Sequence, residues 1–196
     1  MAQRLMQSGF DLVIFDTDDS ATSKFEGTNV SVAKSLDELV VECNIICLCL
    51  PGPDEMEKVM FGKGGVEVNI RPGTLVIDHT TNSPTLVRQV EKRLKFRKAA
   101  MVDAPVSGGV EGAAKGSLTT LIGGDSRDVE QARILLESFS NTILHVGPIG
   151  AGTVAKLMNN LAAFALDQII VECLTIGESA GIEANRLLHA LQQSAI

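Results

Sequence analysis

The chain has 196 residues, of which 45% are hydrophobic and 21% charged, so it can form one ordinary domain with some residues to spare and is too apolar to be disordered. Its net charge is −7 and its basic residues are dispersed, which argues against a nucleic-acid-binding surface. The absence of tyrosine excludes mechanisms in which a phenol donates the proton, and three widely spaced histidines argue against a multi-histidine metal site, so we expect no bound metal.

The cysteines and one long apolar stretch bear on the compartment. Cys43, Cys47 and Cys49 fall in or beside one apolar run with a spacing that fits neither a C-x-x-C redox pair nor a zinc site, so we expect buried free thiols in a reducing compartment. The apolar stretch 157–171 contains four polar residues, which favours a buried helix over a membrane span. The first residues do not resemble a signal peptide. These features predict a soluble intracellular protein without membrane contact, and they leave cytoplasm and mitochondrion both open.

Short apolar runs alternate with longer segments of helical pattern along the first 150 residues. The apolar runs predict strands, in chain order, at 11–16, 44–50, 74–78, 100–104, 118–122 and 143–146. The helical patterns predict helices at 1–7, 36–42, 54–60, 84–97 and 128–139, then a long helix from 151 to a break near 181, and another from 183. This alternation predicts an α/β fold with a doubly wound, mainly parallel sheet and helices on both faces.

Capping residues mark three of the predicted helix starts. Ser35 and Glu38 form a capping box, in which the serine oxygen accepts hydrogen bonds from free amides of the first turn and the glutamate reaches back. Ser83 followed by Pro84 predicts a serine cap with proline in the first turn. Ser126 is predicted to cap the helix that follows it.

The pattern changes near Gly147, where we place a boundary between a domain of residues 1–147 and a second of residues 148–196. The first part is typical of a Rossmann-type nucleotide-binding domain, and the second of the start of an all-helical domain. A Rossmann-type sheet opens with a strand and a G-x-G-x-x-G turn, because those glycines let backbone amides approach a pyrophosphate. Neither precedes the first predicted helix, so we expect the sheet to lack its first strand.

Three strand ends carry candidate cofactor contacts. Asp16 ends the first apolar run, where an acid can bind both hydroxyls of an adenosine ribose. Two more aspartates follow it closely and would repel a 2′-phosphate, which favours NAD over NADP. Leu50, Pro51 and Thr81 follow the next two strands and would face the same edge of the sheet. A loop acid that caps a turn, and ordinary turn residues at strand ends, are the alternatives.

A glycine-rich segment and an isolated lysine are the candidate substrate-binding and catalytic groups. Ser107, Gly108 and Gly109 offer a hydroxyl and unobstructed amides, which suit a small carboxylate or an oxyanion. Lys156 is the only charged residue between positions 146 and 166, and Asn160 lies one turn further on the same helix face. A desolvated lysine has a lowered pKa and can exchange a proton near neutral pH. A purely structural glycine loop and a lysine that reaches the surface are the alternatives.

Two motifs together resemble those of the β-hydroxyacid dehydrogenases, the group of 3-hydroxyisobutyrate dehydrogenase and tartronate semialdehyde reductase. The first reads Asp-Ala-Pro-Val-Ser-Gly-Gly at 103–109, and the second reads Gly-Ala-Gly-Thr-Val-Ala-Lys-Leu-Met-Asn-Asn at 150–160. The similarity extends over the whole chain. Asn159 stands where the related 6-phosphogluconate dehydrogenases typically carry histidine, and imine reductases of similar architecture generally lack the lysine, so both groups fit less well.

The resemblance implies a role for each candidate residue. The implied groups are the catalytic Lys156 and Asn160, the carboxylate cradle Ser107, Gly108 and Gly109, and the NAD contacts Asp16, Leu50, Pro51 and Thr81. The resemblance also implies homo-oligomers formed through the helical domain, and reversible oxidation of a small 3-hydroxy acid to its semialdehyde with hydride transfer to the nicotinamide. The family's first strand and most of its helical domain have no counterpart in the 196 residues, so we expect a chain truncated at both ends that binds NAD poorly or not at all.

Two hypotheses follow from the sequence. The leading one is an NAD-dependent β-hydroxyacid dehydrogenase in which Lys156 is the general acid and base. The alternative is a non-catalytic binding or oligomerisation protein that keeps the fold without its cofactor, in which the long apolar helix serves oligomer packing.

Overall fold

The computed structural model of the protein describes residues 1–194, which fall into two units. Met1–Lys156 form one compact unit, and the chain from Leu157 onward forms the second. The predicted domain boundary near Gly147 stays a prediction.

The described residues contain short strands and helices in alternation, as the sequence predicts. The strands are β1 (Val13–Ile14), β2 (Ser31–Val32), β3 (Ile45–Leu48), β4 (Leu75–Asp78), β5 (Ala100–Asp103), β6 (Val106–Ser107), β7 (Leu118–Gly123) and β8 (Ser140–Gly147). The α-helices are α1 (Ala2–Gln7), α2 (Asp19–Thr22), α3 (Leu36–Glu42), α4 (Pro53–Phe61), α5 (Val66–Asn69), α6 (Pro84–Phe96), α7 (Gly109–Lys115), α8 (Ser126–Leu136), α9 (Ala151–Ser179) and α10 (Ala184–Ser194).

Six of the strands form one sheet and the other two form a separate pair. The larger sheet has the order β3-β4-β5-β7-β6, with β8 paired to β7. Its pairs β3–β4, β4–β5 and β7–β8 are parallel, whereas β7 runs antiparallel to both β5 and β6. Strands β1 and β2 pair in parallel with each other only. The predicted α/β class with a mainly parallel sheet is confirmed, and the antiparallel β7 makes the sheet mixed.

Apolar side chains cover both faces of the larger sheet, which is why its strands are continuous apolar runs. On one face Ile46, Val76 and Met101 pack with α4 and α6, and the alternate positions of the same strands pack with α8 on the other face. Helix α6 is typical of this packing. Its first turn is capped by the Ser83 side chain, which accepts a hydrogen bond from Leu86 N, and its apolar stripe is fully buried.

The structure corrects two predicted helix caps. The Ser35 side chain makes no capping hydrogen bond, and Glu38 Oε2 accepts from Lys34 N at 2.7 Å, the amide before the cap residue, so the predicted capping box does not form. Ser126 is the first residue of α8, and Asp125 occupies the cap position. Ser35 does occupy the cap position, but its hydroxyl makes no hydrogen bond to the first turn. Ser126 lies one residue inside α8, where its hydroxyl no longer stands at the cap.

Several short elements escape the sequence patterns. Residues 103–116, expected to be a glycine-rich loop, contain strand β6 and helix α7. The two-residue β2 and the four-residue helices α2 and α5 are too short to show a hydrophobic period.

A cleft of about 630 Å³ is lined by residues of β1, from the two-stranded sheet, and of β3, the edge strand of the larger sheet. Cys47 and Cys49 line it and are exposed, so the prediction that these thiols are buried in the core is wrong, although all four cysteines are free. The surrounding protein raises the pKa of the Cys47 thiol to about 12 by desolvation. Cys47 is therefore exposed as a residue at the cleft, while the protein around its thiol disfavours the thiolate.

Helix α9 has 29 residues. Its most apolar window of 18 residues has a mean hydropathy of 1.4, and only 6% of that window is buried. By length and composition alone this helix could cross a membrane, although interior helices of soluble proteins have the same properties. The absence of a membrane span therefore stays a prediction that rests on the polar residues within the helix.

Candidate active site

The first unit brings the candidate lysine and the candidate serine into contact. Lys156 lies in the second turn of α9, and Ser107 is the last residue of β6. The Lys156 Nζ donates a hydrogen bond to Ser107 Oγ at 2.8 Å, and both side chains are half-buried. Desolvation lowers the pKa of Lys156. The pair thus presents a hydroxyl beside an amine that deprotonates more readily than an exposed lysine.

The two glycines after Ser107 turn the chain from β6 into α7. Gly108 and Gly109 have φ angles of 123° and 62°, a region that residues with a side chain rarely adopt. A Cβ on Gly108 would also lie 3.1 Å from Leu118 Cδ2. Both glycines are exposed, so their backbone remains open to a small ligand next to Ser107.

Asn160 lies on α9 beyond the end of the first unit. It follows Lys156 by one helical turn and is half-buried. Since the two residues belong to different units, a shared role with Lys156 stays a prediction.

The ends of β3 and β4 lie side by side at one edge of the sheet, as the parallel arrangement requires. Leu50 N, just after β3, donates to Thr80 Oγ1 at 3.1 Å, which joins the loop that carries Leu50 and Pro51 to the loop that carries Thr81. Pro51 and Thr81 are exposed at this edge. The structure therefore brings together three of the four predicted cofactor contacts.

Asp16, the fourth predicted cofactor contact, belongs to the separate strand pair. It follows β1 and is exposed, and its carboxylate accepts a hydrogen bond from Asp18 N at 3.0 Å. This bond is the turn-capping interaction expected of a loop acid, and it leaves further acceptor positions free on the carboxylate. Both interpretations of Asp16 thus remain open.

The residues at these strand ends fit only part of a dinucleotide. An exposed carboxylate at Asp16 suits a ribose, and the edge that carries Pro51 and Thr81 is open to a flat ring. Within residues 1–194 no G-x-G-x-x-G turn supplies amides for a pyrophosphate. The described part of the chain therefore offers exposed groups at these strand ends, but no G-x-G-x-x-G turn beside them whose amides could bind the pyrophosphate of a dinucleotide.

Two buried aspartates end neighbouring strands, and the sequence analysis missed their structural importance. Asp78 of β4 and Asp103 of β5 face each other in register, and neither is exposed. Asp78 accepts hydrogen bonds from Thr80 N and Asn82 Nδ2, both at 3.0 Å, and so shapes the loop at the cofactor edge. Burial is the main cause that raises the pKa of each carboxyl, opposed by these hydrogen bonds at Asp78. The signal that could have revealed them is an acid as the last residue of a continuously apolar strand.

Comparison with known proteins places this geometry in context. Residues 1–147 match the family model described as the NAD binding domain of 6-phosphogluconate dehydrogenase. The chain is 36% identical over 195 residues to an NAD-dependent L-serine dehydrogenase of Pseudomonas aeruginosa, covering 100% of this chain and 65% of that protein. It is 32% identical over 194 residues to a probable mitochondrial 3-hydroxyisobutyrate dehydrogenase of Dictyostelium discoideum, covering 99% of this chain and 60% of that protein.

A solved structure agrees with these sequence matches. The Mycobacterium tuberculosis 3-hydroxyisobutyrate dehydrogenase with L-serine superposes with a TM-score of 0.90 at 31% identity, over 99% of this chain and 66% of that one. The chain thus spans less than two thirds of the length of the two curated relatives described above.

Proposed function

The chain belongs to the β-hydroxyacid dehydrogenase family, and on that premise we propose that its site serves the NAD-dependent interconversion of a small 3-hydroxy acid and its semialdehyde. The observation that carries the proposal is the 2.8 Å hydrogen bond from Lys156 Nζ to Ser107 Oγ beside two exposed glycines. The two relatives named for serine and for 3-hydroxyisobutyrate, both 3-hydroxy acids, support the same class of substrate.

Lys156 acts as the general acid and base. Its lowered pKa gives a larger fraction of free amine near neutral pH, and the free amine accepts the proton of the substrate hydroxyl. As the O–H proton passes to Nζ, the C–H bond breaks, its hydrogen would leave as hydride to bound NAD, a C=O bond forms, and the semialdehyde is released. In the reverse direction the protonated amine returns the proton to the carbonyl oxygen. Asn160 is proposed to orient that oxygen from one turn further along α9.

Ser107, Gly108 and Gly109 bind the substrate carboxylate. The Ser107 hydroxyl and the exposed backbone of the two glycines provide donors for a planar anion, and the neighbouring Lys156 adds positive charge when it is protonated. A carboxylate held beside Ser107, which Nζ contacts, would bring a hydroxyl on the β-carbon near Nζ, which favours short 3-hydroxy acids.

NAD is the proposed cofactor, and when bound it accepts the hydride. Asp16 would hold the ribose of its adenosine, and Leu50, Pro51 and Thr81 would contact the dinucleotide at the sheet edge. Two further aspartates beside Asp16 disfavour a 2′-phosphate, so NADP is the less suitable cofactor. Because residues 1–194 lack the glycine turn, we expect NAD to bind this chain weakly.

The proposal is tested by measuring NADH formation by the 196-residue chain with 3-hydroxyisobutyrate and L-serine at excess NAD. The variant Lys156→Met should reduce turnover by roughly 10²–10⁴-fold, the usual contribution of a general base, with NAD affinity in calorimetry unchanged. Lys115→Met is the matched control, since this exposed lysine on α7 pairs with Glu111, four residues earlier on the same helix. Turnover by Lys156→Met close to that of the wild type would refute the role of Lys156.

A second candidate function is a non-catalytic oligomerisation protein located, like the enzyme, in an intracellular soluble compartment. It is favoured by the apolar side chains that α9 exposes in the second unit, among them Leu161 at 62%, Phe164 at 69% and Ile176 at 70%. A second copy of the chain would bury these side chains from water.

Light scattering with size-exclusion chromatography separates the two candidates. An oligomer that Phe164→Glu dissociates and that Phe96→Glu does not, together with no turnover even at excess NAD, would favour the second. Phe96 is a suitable control because it is 79% exposed and lies in the first unit. NADH formation would favour the dehydrogenase in either oligomeric state.

A further inference from the structure

The first turn of α9 is anchored by a buried carboxylate from the end of β5. Asp103 Oδ1 accepts a hydrogen bond from Gly150 N at 2.7 Å, and Oδ2 accepts from Thr153 N at 2.6 Å and from Thr153 Oγ1 at 2.8 Å. Neither Asp103 nor Thr153 is exposed. The carboxylate thus satisfies two amides that the start of a helix leaves without intrahelical partners, and it lies where the helix dipole favours a negative charge.

The same joint is packed backbone to backbone. A Cβ on Gly152 would lie 2.4 Å from Leu121 O and 2.7 Å from Asp103 O, and a Cβ on Gly123 would lie 2.5 Å from Asp103 Oδ1. Only glycine allows the helix to approach β5 and β7 this closely. The start of α9 therefore packs directly against β5 and β7, with no space for a side chain at Gly152 or Gly123.

The sequence of this helix start is typical of an anion-binding turn. Residues 150–155 read Gly-Ala-Gly-Thr-Val-Ala, which follows strand β8 and matches the pattern G-x-G-x-x-A of phosphate-binding turns. In this protein the amides of Gly150 and Thr153 bind the Asp103 carboxylate, which takes the place of an external anion. The turn is thus used to join two elements and not to bind a ligand.

We propose that Asp103 is a positioning residue for the Lys156 amine. The anchored Thr153 precedes Lys156 by three residues, about one helical turn, and Ser107 follows Asp103 by four residues in the same stretch of chain. Asp103 therefore ties together the two segments that supply the donor and the acceptor of the Lys156–Ser107 hydrogen bond. The catalytic meaning of this role rests on the proposed function, whereas the positioning itself does not.

The proposal is tested by following the Lys156 side chain in the 196-residue protein with lysine-selective 13C labelling, in which the Cε chemical shift reports protonation. The Lys156 signal is assigned from its absence in Lys156→Arg. Two variants weaken the anchor: Asp103→Asn replaces one acceptor oxygen by an amide, and Thr153→Val removes one hydroxyl without a change of charge. In both we expect the pKa of Lys156 to rise toward its ordinary value of 10.5, because an unanchored amine gains water.

The direction of the change in the pKa of Lys156 distinguishes a displaced amine from the loss of a nearby negative charge. Loss of the negative charge of Asp103 would by itself lower the pKa of Lys156, because a nearby anion favours the ammonium form. A rise in Asp103→Asn therefore reports a displaced amine. Thr153→Ser, which keeps the hydroxyl, should restore the wild-type value.

Asp78→Asn is the matched control for a structural effect. Asp78 is also buried, also ends a strand and faces Asp103 in register, but its hydrogen bonds go to the loop after β4. We expect it to destabilise the fold and to leave the pKa of Lys156 unchanged. An unchanged or lowered pKa of Lys156 in folded Thr153→Val and Asp103→Asn would overturn the proposal, and Thr153→Val alone decides if Asp103→Asn does not fold.

This measurement needs neither cofactor nor turnover. A chain that forms no NADH but whose Lys156 responds as described would still support the positioning role of Asp103. An active chain in which these variants leave the pKa of Lys156 unchanged would support the proposed function and contradict the positioning role of Asp103.

Discussion

The stability of the fold should depend steeply on pH through one buried histidine. His79 lies just after β4, where Nδ1 contacts Ala104 O at 2.8 Å and the ring packs edge-on against Phe139 at 5.5 Å. Within residues 1–194 its Nε2 has no hydrogen-bond partner. Desolvation lowers the pKa of His79 from 6.5 to about 4, because the charged ring would lose its hydration in this buried place.

The sign and size of the effect follow from this pKa. The folded state binds the proton less readily than the unfolded state, so the contribution of His79 is fully present above pH 6.5 and is lost as the pH falls toward about 4. The difference between these two values corresponds to about 3 kcal/mol of unfolding free energy. About 2 kcal/mol of it should already be lost at pH 5.

The assay is urea denaturation of the wild type and of His79→Asn between pH 7.5 and pH 4. The asparagine amide can still donate to Ala104 O but does not titrate, and every carboxyl group is common to the two proteins. The difference in unfolding free energy between them should therefore shrink, or reverse, by about 3 kcal/mol over this range. Parallel pH profiles for the two proteins would refute the assignment of this dependence to His79.

Two further predictions concern the anchored helix and the cleft. Gly152→Ala should lower the unfolding free energy by roughly 3 kcal/mol, since its Cβ would lie 2.4 Å from Leu121 O, whereas Gly52→Ala, whose Cβ meets only Glu55 at 3.8 Å, should change it by less than about 1 kcal/mol. Chemical denaturation measures both, and equal losses would contradict the packing argument. Cys47 should react with a disulfide reagent at pH 8 roughly 10–100-fold more slowly than a cysteine of ordinary pKa, because a pKa near 12 leaves little thiolate and the higher nucleophilicity of that thiolate offsets only part of the loss. Mass spectrometry of the labelled peptide would show a fast reaction if this is wrong.

The elements that the sequence predicts well are those whose cause is local. Strands β3, β4 and β5 are continuous apolar runs bounded by turn residues, and such runs are stable only between two layers of helix, so both the strands and the α/β class can be predicted from them. Helix α6 is predicted by its serine cap and proline first turn. The wrong cap at Ser126 shows the limit of this reasoning, because a one-residue change in where a helix begins moves the hydroxyl away from the cap position.

The candidate site depends on both the local sequence and the tertiary structure. The sequence by itself marks Lys156 as an isolated charge in an apolar helix and Ser107 as the start of a glycine-rich turn, since each is unusual among its own neighbours. Only the tertiary structure decides that the two side chains meet, and that Asp103 joins their segments through amides 47 and 50 positions away. Local patterns carry no information on such distances, because the partners of a buried carboxylate are selected by the packing of whole strands and helices and not by the residues beside it in the chain.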